Sequence, residues 1–183
     1  DNIAITSRMA KPIVEMGLGL ETEVGEIKAV GSTSEITTVE EAKTFVEGLL
    51  DNNIHTNLLG INNGSKHGNY LEGEEISIDL ERTGDCYEAV KKHGVNIAQH
   101  GITGTPLHLV GRFADYGIRK GNVGTQWQNV AHKHLPEDLM SEMKNWASEA
   151  GKDIKYATKQ YLNDINNIPE KFKKAIEDEA RKT

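Results

Sequence analysis

The sequence predicts an α/β fold built on a parallel sheet, and three observations predict it. Strand-like and helix-like segments alternate along the chain, the pattern of βαβ units. The 183 residues are 37% hydrophobic and 27% charged, enough apolar material for one globular core. The segments richest in chemistry-bearing side chains all follow predicted strands. Right-handed crossovers place every strand C-terminus on one edge of a parallel sheet. That edge holds the active site in barrels and open α/β sheets alike.

The elements read as follows. Leu18 to Val24 is a strand ended by Gly25. Thr38-Val39-Glu40-Glu41 is a capping box, and Ala42, Phe45, Val46, Leu49 and Leu50 then recur at helical spacing. Asn57 to Ile61 is the second strand, followed by the polar stretch Asn62 to Gly68. Asp85 to His93 is a helix closed by Gly94. Val95 to Gln99 is the third strand, followed by His100-Gly101-Ile102-Thr103-Gly104. Thr105-Pro106 opens a helix with Pro at its first position, with Leu107, Val110, Phe113 and Ala114 as its apolar face and Gly117 as its stop. A fourth strand covers roughly Gly121 to Gly124, and helices follow at Pro136 to Ala150 and Pro169 to Arg181.

Composition excludes several classes. No apolar run approaches the roughly 18 residues of a membrane helix, and no signal peptide is visible at Asp1-Asn2-Ile3. One cysteine, Cys86, leaves no intrachain disulfide and fits a reducing, cytoplasmic setting. A net charge of −7 argues against a nucleic-acid surface.

The candidate chemistry sits at the strand ends. His67 and His100 each follow a strand and precede a glycine. Imidazole is the commonest zinc ligand, and a ligand at a strand end is held rigidly. Glu21 and Glu23 share one face of their strand because side chains alternate with period two. They can bind a metal, orient a metal ligand, or simply face solvent. Glu26 and Glu35 lie in the loop beyond, where either can act as a general acid or base if it reaches the pocket. Gly101 to Gly104 and Asn122 to Thr125 offer backbone N–H groups and hydroxyls suited to phosphate oxygens.

Taken in order, these segments resemble the C-terminal half of a class II, metal-dependent fructose-bisphosphate aldolase. Leu20-Glu21-Thr22-Glu23-Val24-Gly25 is similar to the family's Val-Glu-x-Glu-Leu-Gly strand. Thr38-Val39-Glu40-Glu41-Ala42 resembles its Thr-x-Pro-Glu-Glu-Ala helix start, and Lys66-His67-Gly68-Asn69-Tyr70 its His-Gly-x-Tyr loop. Gln99 to Gly104 resembles its His-Gly-Gly-Ser-Gly turn, and Gly121 to Thr125 its Asn-Ile/Val-x-Thr strand end. The order holds from about residue 15 to 135.

The resemblance implies a (β/α)8 TIM barrel, of which this chain holds about the last four β/α units plus C-terminal helices. Residues 1–183 are then one domain, with barrel elements over about 1–135 and helices over 136–183. It implies His67, His100 and Glu23 as zinc ligands. Gly68, Gly101, Thr103, Asn122, Gly124 and Thr125 match positions that bind the dihydroxyacetone-phosphate part of the substrate or a monovalent cation, Na+ or K+. Glu35 is the expected acid/base. The implied reaction is aldol cleavage or formation of a ketose (bis)phosphate, foremost fructose 1,6-bisphosphate to dihydroxyacetone phosphate and glyceraldehyde 3-phosphate. In it, zinc polarises the ketone and stabilises an enediolate. A homo-oligomer is expected, as is an N-terminal half-barrel from the same or another chain, which would bring the family's Asp-His pair.

The departures motivate an alternative, a non-catalytic phosphosugar-binding or structural relative. The acidic loop after Glu23 is short, Ile102 replaces the family's second glycine, and Gly124 stands where members often carry Asp.

Overall fold

Four short strands form the sheet: β1 (Glu21–Val24), β2 (Leu58–Ile61), β3 (Asn96–Gln99) and β4 (Ile118–Gly121). They belong to a computed structural model that describes residues 1–27, 35–69 and 76–183. All neighbours pair in parallel and in sequence order, as an uninterrupted run of β/α units requires. The register sets Glu23 beside Gly60 and Gly60 beside Ala98. An irregularity at Ile97–Ala98 then brings Ala98 beside Lys120.

Alternation divides the sheet into two faces. Leu59, Ile61, Ile97 and Ile118 point to the helix layer and are buried. There they join Ala42, Phe45, Val46 and Leu49 of α2 (Val39–Asp51) with Cys86 and Val90 of α3 (Leu80–Val90). Burying each large aliphatic side chain contributes about 1.5–3 kcal/mol before chain entropy is charged against it. Burial also pushes the Cys86 thiol up to about 11, which marks it as an inert packing residue. The opposite face carries Glu21, Glu23, Gly60, Ala98 and Lys120. Lys120 of β4 reaches Glu21 of β1 at 2.5 Å, although those strands are the two edges of the sheet. In a flat sheet they would lie about 14 Å apart. The sheet therefore curls with this face concave, as the wall of a partial TIM barrel does.

Helix α1 (Asn2–Glu15) precedes the sheet, and its Ile3 packs on Gly48 of α2. The expected capping box of α2 is present, with Thr38 Oγ1 accepting from Glu41 N and Glu41 accepting from Thr38 N. Three predicted boundaries need correction. β4 starts at Ile118 rather than Gly121, because Ile118 supplies its buried anchor while Arg119 and Lys120 stay exposed. α3 starts at Leu80 rather than Asp85, because the Asp79 side chain accepts from Arg82 N and caps it. Pro106 is the N-cap of a single turn, α4 (Leu107–Val110), rather than its first helical residue.

The described chain divides into two compact units, Asp1–Val123 and Gly124–Thr183. The second is helical: α5 (Thr125–His134), α6 (Glu137–Glu149), α7 (Ala157–Gln160), α8 (Leu162–Asn166) and α9 (Glu170–Ala180). Leu135, Met143, Ala157 and Ile168 form its buried centre, with Trp146 and Phe172 packed around them. No described helix is long and apolar enough to cross a membrane.

Candidate active site

Polar residues from the start of β1 and the C-terminal ends of β3 and β4 meet on the concave face. Glu21 sits at the centre. Its Oε1 lies 2.7 Å from Asn122 Nδ2 and 3.0 Å from His100 Nε2, and Lys120 Nζ donates to its Oε2 at 2.5 Å. The Asn122 and His100 nitrogens converge on one carboxylate oxygen, so they also lie 2.8 Å from each other. Burial by itself pushes the Glu21 carboxyl up. Hydrogen bonds from Lys120, Asn122 and His100, with the Lys120 charge, outweigh it and hold the carboxyl below its ordinary value. Glu21 is therefore ionised at neutral pH and lies within hydrogen-bond distance of His100 Nε2.

His100 Nδ1 lies 3.9 Å from Glu23 Oε2, and the His67 ring stands edge-on to the His100 ring at 5.8 Å between centroids. Two features allow this approach. Gly60 lies beneath His100, where a Cβ would meet Nε2 at 3.3 Å and Glu23 Cγ at 3.5 Å. Gly101 has φ +64°, and a Cβ there would lie 2.6 Å from the Lys66 carbonyl oxygen. Only glycine lets the backbone before His67 press against the backbone after His100.

Zinc holds imidazole nitrogens at about 2.0–2.1 Å, which places two ring centroids on one tetrahedral ion about 5 Å apart. The observed 5.8 Å is close to that spacing, and the Glu23 carboxylate lies near the His100 ring. Among the described residues, no group of three His, Cys, Asp or Glu side chains is itself assembled to hold a metal.

The other predicted residues fall in three places. Gly68, half-buried with φ +112°, directly follows His67, and Thr103 lies in the turn after Gly101. Glu35 is exposed, and its carbonyl oxygen accepts from Asn62 Nδ2 at 2.6 Å, which ties its backbone to the end of β2. Gly124 and Thr125 open the second unit as the N-cap and first residue of α5. Tyr70 and most of the loop between Glu26 and Glu35 lie outside the described residues. The residue that sequence patterning missed is Lys120. No local signal marked it, because its partner Glu21 lies 99 residues away in the chain.

Comparison with known proteins finds the same fold elsewhere. A fructose-1,6-biphosphate aldolase, so described, of Coccidioides immitis superposes with a TM-score of 0.61 at 22% identity, covering 90% of this chain and 58% of that one. The YdjI aldolase of Escherichia coli K12 gives 0.57 at 18% identity, covering 97% and 53%. The fructuronate-tagaturonate epimerase UxaE of Cohnella laeviribosi gives 0.56 at 14% identity, covering 80% and 30%. The chain thus spans a little over half the length of the two aldolase structures. No curated protein matches it. The family model described as fructose-bisphosphate aldolase class-II matches residues 1–177, nearly the whole chain, and the chain belongs to that family.

Proposed function

We propose that this chain carries the metal- and phosphosugar-binding half of a metal-dependent aldolase that cleaves or forms a ketose bisphosphate, fructose 1,6-bisphosphate foremost. The observation that carries the proposal is the approach of the His67 and His100 rings, with Glu21 and Glu23 each beside the His100 imidazole. A carboxylate–imidazole–metal relay of this kind fixes the ring and strengthens the ligating nitrogen. In this proposal His67, His100 and Glu23 hold zinc, and the half-barrel beyond this chain completes the ligand set. Bound zinc supplies a Lewis acid for the substrate carbonyl.

The remaining roles belong to this chain's own side chains. Lys120 and Asn122 keep Glu21 ionised and in place. Gly68, Gly101 and Thr103 are the proposed contacts for the substrate phosphate or a monovalent cation. Glu35 is the proposed proton carrier, and the Asn62 tie keeps its backbone at the strand edge that bears the site.

The test is cleavage of fructose 1,6-bisphosphate by the complete protein, before and after a chelator and again with added zinc. The expected result is loss with the chelator, recovery with zinc, and no recovery in His100→Ala. Full activity in His100→Ala would sink the proposal. Binding of the phosphosugar without turnover under any metal would instead point to a non-catalytic relative. One observation favours that second reading: the Ile102 side chain fills the space over Gly121 and packs on the core.

A further inference from the structure

A second polar cluster lies behind the first, on the helix-facing side of the same strand ends. Gln99, Asn63, Ser65 and Thr83 are all at most 2% exposed. Asn63 Nδ2 donates to Gln99 Oε1 at 2.7 Å, and Gln99 Nε2 donates back to Asn63 Oδ1 at 3.2 Å, closing an amide pair. The second Asn63 hydrogen goes to Thr83 Oγ1 at 3.0 Å, and Thr83 Oγ1 donates on to Asp79 O at 2.7 Å. Gln99 Nε2 also lies 3.0 Å from Ser65 Oγ and 2.7 Å from the His100 carbonyl oxygen. No polar atom of the pair is left unsatisfied, so in this dry setting the pair has one favoured arrangement.

The placement gives the cluster a role. Asn63 and Ser65 belong to the loop that leads from β2 to His67, and Gln99 immediately precedes His100. One amide thus grips the His67 loop and the His100 backbone together. The sheet alone does not do this, because β2 ends at Ile61. A pair of apolar side chains would fill the space without fixing the register of the loop.

We propose that the Asn63–Gln99 amide pair is the positioning device that sets His67 against His100. Neither residue touches the metal or the substrate. The proposal rests on the metal-site assignment above for its purpose, but the positioning itself can be read without a metal.

Two readouts on the full chain test it. The first is the cross-peak between the His67 and His100 ring protons in the metal-free protein, by NMR with labelled histidine. The second is cobalt affinity, followed through the visible bands of bound Co2+. In Gln99→Leu the cross-peak should vanish and cobalt affinity should fall about ten-fold or more, while the protein still unfolds cooperatively. If Gln99→Leu does not fold, Ser65→Ala should weaken both signals in the same direction. Either variant folding with the wild-type cross-peak and cobalt affinity overturns the proposal. Wild-type chain that binds no cobalt, or binds it equally as His100→Ala, defeats the metal assignment instead. The ring cross-peak then still decides the positioning.

Discussion

The two faces of the sheet end in opposite chemistry, although adjacent residues of the same strand-to-loop junctions build them. On the helix side, Gln99, Asn63, Ser65 and Thr83 are neutral and fully buried, each satisfied by another. On the concave side, Glu21, Lys120 and His100 are charged or titratable and keep 22%, 46% and 17% of their side-chain surface. Burial explains the division. A dry face tolerates amides whose hydrogen bonds close, and it would charge heavily for an unpaired ion. A face open to water can hold a carboxylate, an ammonium and an imidazole ready for a ligand. Gln99 and His100 are neighbours in sequence, so one residue of register separates scaffold from chemistry.

Substitutions on the two faces should therefore separate stability from binding. The largest stability effect belongs to the helix side. Leu59→Ala, fully buried between sheet and helices, should destabilise the protein by about 2–5 kcal/mol, with the metal affinity of the folded fraction unchanged; denaturant titration measures this. The reverse signature belongs to Glu21→Gln. Zinc affinity should fall about 10–100-fold, while the unfolding midpoint at neutral pH falls only by the modest stability that the lowered Glu21 carboxyl supplies. Loss of stability without loss of affinity in that variant would erase the contrast between the faces.

A smaller effect is expected in acid. The Glu21 carboxyl lies below its ordinary value in the folded protein. Its contribution to stability is therefore complete above the unfolded carboxylate range, near pH ~4.3, and is lost as pH falls through the lowered folded value. Glu21→Gln should flatten that acid limb in a pH series of thermal unfolding. The smallest effect is Thr38→Ala at the α2 capping box, about 1 kcal/mol of stability and no change in metal affinity.

Much of this was legible in the sequence, and the failures have physical causes. The period of two placed Glu21 and Glu23 on one face, and the strand-end positions of His67 and His100 pointed to the place where their rings approach each other. Helix α1 was missed because it carries Pro12 and shows apolar residues all round. Ile3, Ile13 and Val14 pack inward while Ile5 and Met9 stay exposed. Helix α5 was missed because Val130 is its one fully buried residue. The early turns of α3 were hidden by Gly84, which reads as a breaker but sits against the Tyr116 ring, 3.0 Å from where its Cβ would lie. The roles of Lys120, Asn63 and Gln99 were not legible at all. Each depends on contacts between residues far apart in the chain, across a sheet whose curvature no local pattern encodes.

The most direct measurement is X-ray absorption at the zinc edge of the zinc-loaded chain, comparing wild type with His67→Ala and His100→Ala. Two imidazoles on the metal in wild type, with one fewer in each variant, is the expected result. A wild-type spectrum with fewer than two imidazoles, or unchanged by either substitution, would contradict a shared His67–His100 metal centre.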